Sequence, residues 1–190
     1  MLTRRAFAIV LTSLVLAACK PAGPKVDYST SGIGGPFQLT DSNGKAVNES
    51  LLTGKWSAIY FGYTYCPDVC PTTLQALRAG LEKLGPKGRQ IQPILISVDP
   101  EHDTVEAMKD YIDNSSFPDG LIGLTGTPEQ IAAVAKAYKI YYAKTGDGLV
   151  QHQSIIYLMD PKGRLARPLT GELSPDQIAA QIGDALRQSG

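Results

Sequence analysis

The chain has 190 residues, 43% of them hydrophobic and 19% charged, which excludes an intrinsically disordered protein and fits one domain of ordinary size. Lys plus Arg and Asp plus Glu number 18 each, so no basic excess exists to neutralise phosphates, and nucleic acid is not an expected partner. Small molecules, metals and other proteins stay open.

The first element is a targeting segment over residues 1–18. Arg4 and Arg5 supply a positive start, and Ala6 to Ala18 is apolar apart from Thr12 and Ser13. The run is shorter than the roughly 20 apolar residues that span a bilayer, and it reads as a signal-peptide core. Its end, Leu16-Ala17-Ala18-Cys19, resembles the lipobox of bacterial lipoproteins. That resemblance implies lipidation of Cys19, cleavage before it, and a membrane anchor without a spanning helix. The plainer alternative is an ordinary signal peptide followed by a chance cysteine. Thr3-Arg4-Arg5-Ala6-Phe7 also resembles a twin-arginine export signal, although paired arginines are common in such n-regions. Residues 19–35 are rich in Pro, Gly and Ser without apolar periodicity, and predict a flexible tether. The folded domain is expected over residues 36–190.

Within it, Asp41-Ser-Asn-Gly44 predicts a turn between extended pieces at Phe37–Leu39 and Ala46–Val47, an N-terminal hairpin. Ser57 to Phe61 predicts a buried strand bounded by Gly54 and Gly62. Pro71 to Leu84 carries leucines at helical spacing (74, 77, 81, 84), and Gly85-Pro86 ends it. Pro93 to Val98 predicts a second buried strand. Thr104 is the expected N-cap of a helix running to Asn114. A short strand is expected at Leu121–Leu124. Thr127-Pro128-Glu-Gln130 signals a helix reaching about Tyr138. Ile155–Met159 and Leu165–Pro168 predict a hairpin turning at Asp160–Gly163, and Ser174-Pro175 opens a last helix ending near Arg187. Alternating strands and helices followed by a hairpin and helix give an α/β class with a mixed central sheet flanked by helices.

The three cysteines divide into Cys19 and the pair Cys66-Pro-Asp-Val-Cys70. The pair sits between a buried strand and a helix, with Pro71 suited to the first turn. Residues four apart on a helix share a face, so the sulfurs can converge where the dipole favours thiolate. Three readings follow: a structural disulfide, a redox dithiol, or a metal pair. The disulfide would close a very small loop and stabilise little. His152, just before the strand at 155–159, is the candidate third ligand, although a lone histidine there is commonly an ordinary surface or core residue. Two thiolates and one imidazole suit copper in three-fold coordination, whereas zinc ordinarily takes four ligands. Asp68 is near in sequence and reads equally as a turn residue. His102, among Asp99, Glu101 and Asp103, reads as part of a solvated strand-to-helix loop in preference to a second metal site.

From about Phe37 to Arg187 the chain resembles the Sco/SenC family of copper metallochaperones. The resemblance is carried by Tyr60-Phe-Gly-Tyr-Thr-Tyr-Cys-Pro-Asp-Val-Cys-Pro-Thr-Thr-Leu74, by Ile96-Ser-Val-Asp-Pro100 with Asp103-Thr104, by Leu121 to Thr127, and by His152 followed by Tyr157 to Pro161. It implies a thioredoxin-like fold and binding of copper(I) and copper(II) by Cys66, Cys70 and His152. It implies as partner the CuA site of cytochrome c oxidase subunit II, served by copper delivery, by reduction of its cysteines, or by both. The expected location is the bacterial envelope, facing the periplasm on the inner membrane. The family often has Arg at the position of His102 and Asp at that of Gln151, differences that bear on target docking or on the surroundings of His152. A thiol-disulfide oxidoreductase using Cys66 and Cys70, a peroxidase-like thioredoxin relative, and a copper or redox sensor are the competing readings.

Overall fold

The structure, a computed structural model, describes residues 27–188; the targeting segment, Cys19 and the first part of the tether lie outside the described residues. Strands β1 (Gln38–Asp41) and β2 (Ala46–Asn48) form the N-terminal hairpin, with Gly44 at φ 80° in its turn. Then follow β3 (Trp56–Gly62), α1 (Val69–Lys83), β4 (Ile91–Ser97), α2 (Val105–Ile112), β5 (Ile122–Thr125) and α3 (Pro128–Ala137). Strands β6 (Tyr142–Lys144) and β7 (Val150–His152) come next, and β8 (Ile155–Met159), β9 (Leu165–Thr170) and α4 (Pro175–Gln188) close the fold.

Seven strands form one mixed sheet in the order β2-β1-β5-β4-β3-β8-β9. β3, β4 and β5 run parallel and occupy its centre, and the neighbouring pairs on either side are antiparallel. Central strands covered on both faces read as unbroken apolar runs, and Ala58 to Phe61 are all fully buried. The two faces of β3 are distinguishable. Gly62 lies against Cys70 of α1, while Phe61 meets the ring of Tyr138 at the end of α3, centroids 5.4 Å apart. α1 and α4 approach so closely that a Cβ on Gly80 would lie 2.7 Å from a methyl of Ile178.

The expected caps are present. Thr104 Oγ1 accepts from Ala107 N, Thr127 and Gln130 form a reciprocal capping box, and Ser174 and Gln177 do the same at α4. Three expectations need correction. The tether boundary lies earlier than Gly35, because Gly34 N donates to Ala137 O at 3.0 Å, Lys139 Nζ donates to Ser31 O at 2.7 Å, and Tyr28 and Ile33 pack on the core. No element is expected between about Tyr138 and Ile155, yet β6 and β7 form a hairpin there; its strands are three residues each, too short to show a two-residue period. Asp99 and Asp103, read as solvated, are buried.

Candidate metal centre

Strand β3 delivers the chain at its C-terminal end into the turn Tyr63–Asp68, from which α1 departs. The helix starts at Val69, so Cys66 precedes it and the pair does not lie on one helical face as the spacing suggested. The sulfurs meet for another reason. Asp68, at the N-cap, makes no side-chain cap bond; instead Cys70 N donates to Cys66 Sγ at 3.3 Å. The Cys66 sulfur therefore takes one of the free amides of the first helical turn, where partial positive charge favours an anion. Cys70, one residue into α1, is fully buried. Its sulfur fits because β3 ends in glycine: a Cβ on Gly62 would stand 3.1 Å from Cys70 Sγ and 3.0 Å from the Tyr60 ring.

His152 arrives from the far side, as the last residue of β7. Its Nε2 is 3.4 Å from Cys70 Sγ. Its Nδ1 is 3.1 Å from the carbonyl of Gln153. A carbonyl only accepts, so Nδ1 carries a proton; in the neutral ring this leaves Nε2, the nitrogen nearer Cys70 Sγ, unprotonated and free to bind a metal. The rings of Tyr60 and Tyr63 stand edge-on to the imidazole, at 6.0 and 5.9 Å between centroids. Gln153 is itself fixed, because Tyr141 N donates to its side-chain oxygen and its own N donates to Tyr141 O.

The two sulfurs differ in protonation. The Cys70 thiol donating to it, helped by the amides of Cys70 and Asp68 and by the Tyr63 hydroxyl, lowers the Cys66 thiol to about 5. Sharing its proton with Cys66, together with burial, pushes the Cys70 thiol up. The free pair is thus one half-exposed thiolate beside one buried thiol, and both cysteines are free. Sγ of Cys66, Sγ of Cys70 and a ring nitrogen of His152 all lie within 4.8 Å of one another. Two soft sulfur donors and one neutral imidazole suit copper, and the set lacks the fourth protein ligand of a structural zinc site.

Among the described residues this is the one cluster of three or more such groups that could hold a metal. Asp68 is exposed and caps nothing beyond a 3.3 Å bond from Thr72 Oγ1. His102 pairs its Nδ1 with Asp99 Oδ2 at 2.7 Å, and Asp103 turns inward to accept from Thr64 N, Thr64 Oγ1 and Ser97 Oγ, so these acids hold the turn ahead of the cysteines. Burial raises the Asp103 carboxyl, and the three donors offset part of that rise. Sequence reasoning assigned no role to Tyr60, Gly62, Tyr63 or Gln153. Only alternation along β3, which puts positions 60 and 62 on the face of α1, could have hinted at the first two.

A family model described as SCO1/SenC matches residues 26–187. The mitochondrial SCO1 homolog 1 of Arabidopsis thaliana is 47% identical over 163 residues, covering 83% of this chain and 48% of the relative. SenC of Rhodobacter capsulatus is 38% identical, covering 92% of this chain and 80% of the relative. The chain spans about half the length of the first of these and most of the second. Among solved structures, that of Arabidopsis thaliana ScoI with copper bound superposes at a TM-score of 0.78 with 43% identity, covering 82% of this chain and 99% of the other. The fold is accordingly thioredoxin-like, as in these neighbours, and with a matching family model across nearly all the described residues the chain belongs to the SCO1/SenC family.

Proposed function

We propose that this protein is a copper metallochaperone of the cell envelope, carrying the ion on Cys66, Cys70 and His152. The observation that carries the reading is the convergence of three soft-metal donors, 82 residues apart at the Cys70–His152 contact, into one pocket at the end of the central strands. Copper is cargo here. A half-exposed Cys66 and a half-buried His152 leave one side open to an incoming ligand, and the incoming ligands replace the carrier's own one at a time. The recipient, on the resemblance, is the CuA site of cytochrome c oxidase subunit II. The expected location is a periplasm-facing lipoprotein of the inner membrane, anchored through Cys19.

The test is copper titration of the reduced protein, followed through the sulfur-to-copper(II) charge-transfer band, with Cys66, Cys70 and His152 replaced in turn. Loss of stoichiometric binding in each cysteine variant and weakened binding in His152→Ala supports the carrier. Full binding by any cysteine variant removes it.

A second reading has its own observation, the unequal protonation of the sulfurs. The Cys66 thiolate attacks a target disulfide, one target sulfur leaves as thiolate, and a mixed disulfide forms. Cys70 then loses its proton and attacks Cys66, which releases the second target thiolate and leaves Cys66–Cys70 oxidised. His152→Ala separates the two: a carrier loses copper affinity, whereas a reductase keeps its thiol exchange.

A further inference from the structure

The β6–β7 hairpin stands apart from the rest of the fold. Its two strands pair only with each other, and the seven-stranded sheet contributes no ladder bond to either. Yet β7 ends in His152. The position of the third ligand therefore rests on the packing of Val150 and Tyr142 against the core and on a few polar ties that hold this hairpin down. One is Val150 N donating to the hydroxyl of Tyr63 at 3.3 Å. Another is ionic. Lys144, the last residue of β6 and the register partner of Val150, reaches the loop after β4. Its Nζ lies 2.5 Å from Glu101 Oε2 and 3.9 Å from Asp99 Oδ1.

An exposed ion pair contributes little by itself. Asp99 changes the case, because it is 1% exposed. Its Oδ2 meets His102 Nδ1, and its backbone N donates to Ser97 Oγ. Its Oδ1 is buried and accepts no hydrogen bond, and the cation facing that oxygen is Lys144. Buried Asp103 adds negative charge beside it. A carboxylate oxygen removed from water without a partner draws a cation more strongly than a solvated one does.

We propose that Lys144 is a positioning residue for the metal centre: pairing with Asp99 and Glu101, it latches the β6–β7 hairpin to the β4–α2 loop and so holds His152 over the two sulfurs. The inference rests on the copper reading for its consequence, although the latch itself is a property of the metal-free protein. Residues 144 and 150 are opposite each other, and His152 lies two positions further on, about 7 Å along the strand. Freedom gained at the latch is thereby transmitted directly to the imidazole.

The experiment compares the wild type with Lys144→Met, Lys144→Arg and Glu101→Gln in the full-length protein. In the reduced, metal-free state, amide exchange at residues 150–152 is read by NMR or mass spectrometry. Copper(I) affinity is read by competition, and the charge-transfer band by titration with copper(II). Lys144→Met should accelerate exchange and weaken copper binding, each about fivefold, the scale of a pair contributing about 1 kcal/mol. Glu101→Gln should do the same to a smaller degree, and Lys144→Arg should restore both. Alkylation of Cys66 should be unchanged in all three, which a general loosening of the fold would not leave alone. Unaltered exchange in Lys144→Met overturns the latch, and so does unaltered copper affinity or a loss that arginine fails to rescue. A wild type that binds no copper defeats the carrier reading instead, and the exchange rates still decide the latch.

Discussion

The metal centre is assembled from two regions built in different ways. Cys66 and Cys70 belong to the β3–α1 junction, at the end of a strand whose residues 58–61 are fully buried, 58–60 of them paired on both sides. His152 belongs to a two-stranded hairpin outside the main sheet. In the first region the backbone ladder fixes the sulfurs, and moving them means disturbing the core. In the second no bond from the main sheet fixes the imidazole, which is held by the packing of Val150 and Tyr142 on the core and by a handful of polar ties, so moving it costs less. A carrier profits from this difference. Under the proposed carrier reading, a firmly built dithiol would keep the cargo, while a ligand on a more lightly tied arm would give way first to a recipient.

The largest expected effect tests the rigid half alone. In the reduced, metal-free protein, Cys66 should react with iodoacetamide at a rate that rises with pH around a midpoint of about 5, since the thiolate is the nucleophile and forms above that pH. Cys70, fully buried and with its thiol pushed up, should stay unlabelled across the same range. Peptide mapping at a series of pH values gives both curves. Equal labelling of the two sulfurs would mean that the helix start and the shared proton do not distinguish them.

The next effect tests the lightly tied half. His152→Ala should lower copper affinity by at least about a hundredfold, since losing a ligand should cost no less than the 10–100-fold that losing a partner orienting one costs. The melting temperature should hardly change, because the half-buried ring packs edge-on to Tyr60 and Tyr63 and supports no sheet bond through its side chain. Copper competition together with a thermal melt reads both. A large fall in melting temperature would show that the hairpin is integral to the core.

Much of the rigid half is legible in the sequence, and little of the tied half is. The apolar runs at 57–61 and 93–98 specify the central strands because both faces are covered. The caps at Thr104, Thr127 and Ser174 specify helix starts because their side-chain oxygens replace absent backbone acceptors. The four-residue spacing of the cysteines put both on one helical face, but the helix begins at Val69, three residues after Cys66, and the Cys66 sulfur takes a free amide of its first turn. Propensity scales do not anticipate that role for cysteine. Residues 142–152 carry no apolar period long enough to read, and the ties that hold them come from Tyr63, Asp99 and Glu101, far away in the chain. Asp99 and Asp103 look solvated in sequence because the groups that turn them inward are recognisable only in the fold: Asp103 accepts from Thr64 and Ser97, and Asp99 donates its backbone N to Ser97 Oγ.

A smaller effect sharpens the view of the rigid half. In Gly62→Ala the added methyl would stand 3.0 to 3.3 Å from the Tyr60 ring, Cys70 Sγ and a methyl of Leu95, closer than ordinary contact on three sides. The backbone at Gly62 is not in the left-handed region, so the consequence is one of space and not of torsion. Overpacking of this kind costs about 1–3 kcal/mol. Because one of the three neighbours is the ligand sulfur, the copper(II) charge-transfer band should shift together with the melting temperature. A destabilised variant with an unshifted band would mean that the ring or the leucine, and not the sulfur, gives way.

The smallest effect joins the two halves. Tyr63 directly follows β3, and its hydroxyl oxygen accepts from Val150 N in β7 while its O–H is available to the Cys66 sulfur. Tyr63→Phe keeps the ring against His152 and removes only that oxygen. Val150 is buried, so its N–H loses an acceptor without gaining water, at about 1 kcal/mol. Two readouts should then move together although they sit on different regions. The Cys66 alkylation midpoint should rise, because a donor to the thiolate is lost, and amide exchange at Val150 should accelerate. If the midpoint rises while exchange stays slow, the hydroxyl serves the sulfur, and core packing with the ionic tie holds the hairpin without it. If exchange accelerates while the midpoint stays, the hydroxyl serves the hairpin and not the sulfur. Movement of both makes Tyr63 the residue through which the rigid and the lightly tied halves sense each other.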